Sequence, residues 1–374
     1  NIPRVSIVLG EDQKTPVGAR QYVQRDSNYL VEEFMLLANK KVAEFIAERA
    51  PSAAVLRRHP PPHKRKIDHL HKVTDQMKIR MDTSSSSAIH NSLERIKREC
   101  EPHIFYALVL LTTKPMQNAM YFCTGATDYA ERPGAWGHYA LAFSRYTHFT
   151  SPIRRYADVM VHRLVSDVLA KEEKKSSSSS GGGGGGKEKV KVFESTGTKR
   201  SPWGRKFTDR AVDQCGQCNR QKLAAKSVQD SSIKLYLALW LNREAHFTEA
   251  VIIDLNGPKW MGVFVPEFGM EFKLHWEDDK RVKAKWDGTA KQMNVFRIIG
   301  SEEKRVEADP AGSDGEAKPK QSRKAKLKPK PILTLANFQS VKVSLSSAFK
   351  EKSCQYEIAA QLAIDEGEDS KIVG

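Results

Sequence analysis

The chain lacks any run of about eighteen apolar residues among its 374 positions, so no stretch of it is a membrane-spanning helix of ordinary length. No secretory signal pattern is visible. The first residue is Asn1 rather than methionine, and the text opens inside a strand-like run, "RVSIVLG". The expectation is a piece of a longer protein whose beginning lies upstream. Cysteine is scarce: Cys100, Cys123, Cys215, Cys218 and Cys354. Odd in number and scattered, they suit a reducing compartment rather than a disulfide framework. "CGQC", Cys215 to Cys218, is a lone CxxC. Structural zinc needs four ligands, and a redox CxxC sits where a strand meets a helix. This pair falls inside a long helical pattern and reads as ordinary helix residues. Closely spaced aspartates are also missing ahead of Glu32. Asp12 and Asp26 stand alone, in a loop and a cap.

What the chain has in excess is positive charge, a net +16. That favours polyanionic partners, nucleic acid above all, because neutralising phosphates releases counterions. Part of the excess lies in "KPKQSRKAKLKPK", within a charged stretch from Ser301 to Pro331 that reads as a disordered loop.

Alternation of Val5, Ile7 and Leu9 predicts a strand, with "ARQYVQR" returning. Asp26-Ser27-Asn28 offers caps for a helix whose apolar stripe is Leu30, Phe34, Leu37, Val42, Phe45 and Ile46. "LRRHPPPHKRK" reads as an extended proline segment. A helix around Ile67 to Met77, a short strand from Lys78 to Met81 and a serine-capped helix from Ala88 to Glu99 come next. A further helix follows Pro152 and runs to about Lys171. The homopolymer "SSSSSGGGGGG", Ser176 to Gly186, is a flexible linker and the clearest boundary. A long helix then covers Thr208 to Arg243. "TEAVIIDL", "WMGVFVPEF", "EFKLHW", "VKVSL" and "YEIAAQL" alternate as strands of a small barrel.

The stretch "RYTHFTSPIRRYADVMVHRLV", Arg145 to Val165, carries the chemistry. Ser151 suits an N-cap and Pro152 the first helical position. Ile153, Ala157, Met160, Leu164 and Val168 form an apolar stripe. Arg154 and Arg155 then fall in the first turn, where the helix dipole disfavours cations by a few tenths to about 1 kcal/mol. An anion in front of them resolves the conflict, since helix N-termini and guanidinium forks both bind phosphate. Arg155 has a plainer role as well, pairing with Asp158 on a solvated face. Tyr146, His148 and Thr150 supply rings and a hydroxyl suited to bases and sugars.

These residues resemble the signature near the end of the catalytic domain in the ribonuclease II (RNB) family of exoribonucleases. "RDSNYLVEEFMLLAN", "LRRHPPP", "MDTSSSSAIHNSL", "CNRQKLAAKSVQDSSIKLY" and "VFVPEFGME" agree with it in order. "RRHPPP" and "VPEFGME" are similar to the cytoplasmic eukaryotic branch that prefers uridylated RNA. The resemblance implies an α+β fold: the C-terminal part of an RNB-type catalytic domain (1–172), a flexible linker (173–206), a connecting helix (207–247), an OB-type RNA-binding barrel (248–365, with the insert 301–331) and a tail (366–374). It implies 3′→5′ hydrolysis of single-stranded RNA to nucleoside 5′-monophosphates, using Mg²⁺ held by aspartates expected upstream of this chain. Arg154 is then the catalytic phosphate contact, supported by Glu32 or Glu33 of "VEE". Arg57, Arg58 and His59 line or brace the RNA path, with Ser151 and Arg155 beside Arg154. The implied partner is single-stranded RNA with a free 3′ end, oligouridylated RNA included, and no membrane. No metal ligand set is assigned within the chain itself, which alone is expected to be inactive. The rival reading is a non-catalytic RNA-binding regulator of the same family.

Five barrel aromatics are candidate stacking residues: Phe247, Trp260, Phe264, Phe268 and Trp276, with Lys259 and Lys273 nearby. Aromatics in short strands are usually core. Trp260 is the chosen exception because it follows the turn-like "NGPK".

Overall fold

A computed structural model describes residues 3–126, 135–179, 205–255, 259–297, 331–351 and 353–364. In chain order its elements begin with β1 (Val5–Leu9), β2 (Pro16–Gln21), α1 (Asp26–Arg49), β3 (Val55–Arg58), α2 (Lys64–Gln76), α3 (Ser86–Glu99), α4 (Pro102–Thr113) and β4 (Met120–Cys123). Then come α5 (Tyr156–Ser179), α6 (Arg205–Leu241), β5 (His246–Leu255), β6 (Trp260–Val265), β7 (Met270–His275), β8 (Val282–Asp287), β9 (Gln292–Arg297), β10 (Leu333–Leu335), β11 (Ser340–Lys350) and β12 (Gln355–Leu362). They form two compact units: a barrel unit (Asn1–Tyr22, Glu101–Ala107, Ile233–Gly374) and a helical unit (Val23–Cys100, Leu108–Ser232). The first residues and the start of α4 thus belong to the barrel unit.

In the helical unit, Ala43, Ile46 and Ala47 of α1 share one core with Val55 and Leu56 of β3 and with Ala157, Val161, Leu164 and Val168 of α5. Each fully buried large aliphatic there contributes about 1.5–3 kcal/mol. The expected α1 stripe holds only in its second half. Leu30, Phe34 and Leu37 are exposed, Phe34 by 66%. The N-cap is Arg25, one residue before the expected cap cluster, and Asn28 Oδ1 accepts from its N–H at 2.9 Å. α3 is capped as expected, with Ser85 Oγ accepting from the Ala88 N–H at 3.0 Å.

Three local expectations need correction. The segment after Pro62 is not extended through Lys66, because α2 starts at Lys64. Proline restricts itself and the residue before it, not those after. Lys78 to Met81 is no strand: Lys78 takes a left-handed φ of 57°, and the Ile79 N–H donates back to Thr74 O at 2.9 Å. α5 does not stop near Lys171 but continues to Ser179, into the serine run. Residues 180–204, the rest of the expected linker, lie outside the described residues, as do 301–330 and 365–374. α4, β4, β8 and β9 were not anticipated. α4 is apolar on nearly every side, so it carries little amphipathic period.

The barrel unit has a five-stranded antiparallel sheet in the order β12-β11-β5-β6-β7, curled so that β12 approaches β7. A three-stranded sheet, β10-β9-β8, shares its core. This half-barrel fits an OB-type fold. Val251 pairs with Phe264 and Val263 with Phe272. Ile252, Val263, Phe268, Leu274, Val343 and Leu345 fill the interior, with Leu237 and Leu241 of α6. Cys215 and Cys218 lie within α6 and are free, Cys215 in the helical core.

Candidate nucleic-acid interface

The loop from Arg145 to Arg155 is held by backbone and buried polar contacts. The Arg57 N–H of β3 donates to Tyr146 O at 2.7 Å, and Thr147 Oγ1 donates to Val55 O at 2.7 Å. Asn39, buried on α1, donates through Nδ2 to Tyr146 Oη at 3.1 Å. Its Oδ1 accepts from the N–H groups of Phe149 at 2.8 Å and Thr150 at 3.3 Å. One amide thus replaces the regular partners this irregular segment lacks. His162 stacks on Phe149 at 4.0 Å, with its Nε2 2.8 Å from Phe149 O. Sequence reasoning missed Asn39, whose only signal is an amide on an apolar helix face.

The two arginines do not lie in a helical turn. α5 begins at Tyr156, and Ser151 to Arg155 form a preceding turn in which the N–H groups of Arg154 and Arg155 donate to Ser151 O at 3.3 and 3.2 Å. Ser151 is therefore no N-cap and Pro152 no first helical residue. Ile153 is 96% exposed and outside the apolar stripe. The cause is Asp158, fully buried on α5, whose Oδ2 accepts from the Ser151 N–H at 2.8 Å and from Arg155 Nη2 at 2.7 Å. It draws the chain into a turn that a proline tolerates. The Arg155–Asp158 pair exists, but is largely buried instead of solvated. Arg154 stays exposed at the edge of this cluster.

Around that turn gather cations and rings. Arg57 is 7% exposed, and its guanidinium lies 5.0 Å from the Tyr121 ring centroid. Its Nη1 is buried with no hydrogen-bond partner, and among the described residues no carboxylate forms an ion pair with it. Burial lowers its pKa from the usual arginine value. Burial also pushes the Tyr121 phenol up to about 12. It brings His148 down to about 2, with the charges of Arg57, Arg155 and Lys222 adding to the effect. His138 falls to about 3, through burial and then the neighbouring His59 and Arg57. Tyr121 therefore keeps its proton and His148 stays neutral. Their 2.6 Å contact, Oη to Nδ1, joins a neutral phenol to a neutral imidazole. His59 stacks on His138, which meets Tyr146 edge-on, both at 5.2 Å.

α6 adds a residue that sequence reasoning missed. Asn219 Oδ1 accepts from the Tyr121 N–H at 2.8 Å, and its Nδ2 donates to Tyr121 O at 2.9 Å. These bonds pin α6 to β4. Lys222, three residues on, lies over the cluster on the same helix face as Asn219. Partial loss of water, then the charges of Arg57, Arg155, Lys226 and Arg154, bring its pKa down to about 8, although the side chain reaches solvent. Its sequence signal was a lysine four residues before Lys226 on a helix carrying an asparagine.

Of the expected residues, Arg57, His59, Tyr146, His148, Thr150, Ser151 and Arg155 come together here. Thr150 Oγ1 is buried and unpartnered. Arg58 points its Nη2 to Met120 Sδ at 3.6 Å. Glu32 and Glu33 are exposed on α1, with Glu32 accepting from Gln24 Nε2 at 3.2 Å. Trp260 belongs to the barrel unit. It is half-buried, with Lys273 Nζ 4.7 Å from its ring centroid. Phe264, Phe268 and Trp276 are core, whereas Phe247 is 69% exposed. Among the described residues, no group of three or more His, Cys, Asp or Glu side chains is placed to hold a metal. The magnesium site that the resemblance implies is therefore not formed by them.

A net-positive, ring-lined cluster beside an α+β core is the equipment of a single-stranded nucleic-acid-binding protein. Residues 1–171 match the RNB domain. The chain is 35% identical over 296 residues to DIS3-like exonuclease 2 of Arabidopsis thaliana, covering 75% of this chain and 28% of that one. It is 34% identical, with the same coverage, to the inactive exonuclease DIS3L2 of the same plant. The yeast pseudonuclease Ssd1 shares the fold, with a TM-score of 0.65 at 20% identity over 91% of this chain and 45% of that one. So does RNase R of Mycoplasma genitalium in complex with ribose-methylated single-stranded RNA, at 0.63 and 16% identity, over 96% and 45%. Residues 1–171 belong to the RNB domain family. Within it, the similarity is to the DIS3-like exonuclease 2 branch. The chain spans less than a third of the length of those plant relatives.

Proposed function

We propose that this chain is the RNA-holding C-terminal portion of a 3′→5′ exoribonuclease. In the complete protein it degrades single-stranded RNA to nucleoside 5′-monophosphates, with oligouridylated 3′ ends as the preferred substrate and the cytoplasm as the site of action. The observation that carries the reading is Arg57, a buried guanidinium that among the described residues meets no carboxylate, set beside Arg155, Lys222, Tyr121 and Tyr146. A desolvated cation left unpaired in the fold is costly unless an anion completes it. A phosphodiester does so, while the neighbouring rings offer surfaces to its bases. Arg154, exposed at the edge, is the residue proposed to meet the phosphate under attack and to stabilise the charge that develops on it. The uridine preference and the compartment rest on "RRHPPP" and "VPEFGME" alone.

A second reading has its own support. The 34%-identical relative carries the name of an inactive exonuclease, which supports an RNA-binding protein that does not cut. Two assays separate the readings. This chain with Mg²⁺ and 3′-oligouridylated RNA is expected to bind without releasing UMP; robust release would contradict the assignment of the metal ligands elsewhere. The complete protein is expected to release UMP processively. Binding without release by the complete protein would favour the non-catalytic reading.

A further inference from the structure

We infer that Lys222 is a phosphate-binding residue, the third member of a pocket shared with Arg57 and Arg155. The inference rests on the proposed RNA-binding function and assigns to it a residue outside the Arg145–Val165 stretch.

The geometry starts with Asn219. Its two hydrogen bonds to the Tyr121 backbone, at 2.8 and 2.9 Å, fix the register of α6 against β4. Lys222 follows almost one turn later on the same face of α6, close enough for its charge to act on His138 and His148. Four cations crowd it: Arg57 from β3, Arg154 and Arg155 from the turn before α5, and Lys226 from its own helix. Asp158, the carboxylate beside Arg155, is already bonded to Arg155 and to the Ser151 N–H. The other facing groups are the Tyr121 phenol and the neutral His148 and His138. A lysine surrounded this way gains nothing from the fold, yet a phosphate between Arg57, Arg155 and Lys222 turns every repulsion into an attraction. Arg57 Nη1 and Arg155 Nε are both buried donors with no partner in the fold.

The pocket carries its own pH signature. Lys222 titrates near 8 in the free protein, and a bound phosphate favours its charged form. Affinity for RNA therefore falls as pH rises from about 7 to about 8.5. The arginines remain charged there, and Tyr121, His138 and His148 do not titrate in that window.

The test measures binding of the 374-residue chain to single-stranded oligoadenylate, whose bases do not titrate in this range, against salt and pH. Lys222→Met is expected to bind roughly tenfold more weakly. Its salt slope should be shallower by about 0.7, one phosphate's share, and its affinity independent of pH. Lys222→Arg should restore affinity and also abolish the pH dependence, which a lysine that merely supports the fold would not do. Lys226→Met should keep the wild-type pH dependence. Wild-type affinity, slope and pH profile in Lys222→Met would overturn the inference and leave the proposed function standing. Failure of the wild-type chain to bind any RNA would instead overturn the proposed function, and the inference with it.

Discussion

Arg281 in the barrel unit and Arg57 in the helical unit treat the same cation in opposite ways. Arg281 closes on the buried Asp279 with two nitrogens, at 2.9 and 2.8 Å, and adds the Leu362 carbonyl at 3.1 Å. That pair is complete within the fold, and Asp279 has its pKa lowered by these bonds. Arg57 is itself buried, rests on a ring, and leaves a nitrogen without a partner. The difference separates structural polarity from functional polarity. A stabilising ion pair satisfies itself, whereas a binding site keeps donors in reserve at a cost in stability.

The comparison can be broken most severely at Asp158, the carboxylate that balances the cluster. Asp158→Ala leaves Arg155 and the Ser151 N–H without their acceptor and is expected to lower unfolding stability by about 3–5 kcal/mol, read from urea denaturation. Asn39→Ala removes one donor to Tyr146 and the acceptor of two backbone N–H groups. A loss of about 1–3 kcal/mol follows, and chemical-shift changes should concentrate at Phe149 and Thr150.

The pH dependence comes next. The folded pKa of His148, about 2, lies below the unfolded value of 6.5. As pH falls through 6.5 the unfolded chain takes up a proton that the folded chain refuses, so stability declines across the window from about 6.5 to about 2. It is insensitive to this group above it. Urea midpoints between pH 7 and about 5 should fall, and His148→Gln should flatten that fall. The smallest effect belongs to the barrel. Lys273 already occupies one face of Trp260, so Trp260→Ala should weaken single-stranded RNA binding by less than about 1 kcal/mol, against roughly 1–3 for a free stacking platform. A filter-binding loss above that range's lower bound would move RNA onto the sheet.

The sequence made the strongly periodic parts legible. The α5 stripe of Ala157, Met160, Leu164 and Val168 is buried as expected, and the strands β5, β6, β11 and β12 form where the alternation placed them. Local signals failed where a distant side chain competes for the backbone. Ser151-Pro152 reads as a helix start, yet Asp158, seven residues on, holds it as a turn. β4 was too short to register, and α4 too uniformly apolar. In the candidate site, the motif residues were readable because they are neighbours in sequence. Asn39, Tyr121, Asn219 and Lys222 were not, because only packing between β3, β4, α1 and α6 brings them to the motif.

The central claim is that Arg57 is kept for an anion rather than for the fold. Arg57→Met, which retains apolar bulk beside Tyr121, tests it in one pair of measurements on the same protein. The account predicts unfolding stability within about 1 kcal/mol of wild type, or above it, together with single-stranded RNA affinity at least tenfold lower. Stability lower by several kcal/mol with RNA affinity unchanged would contradict it.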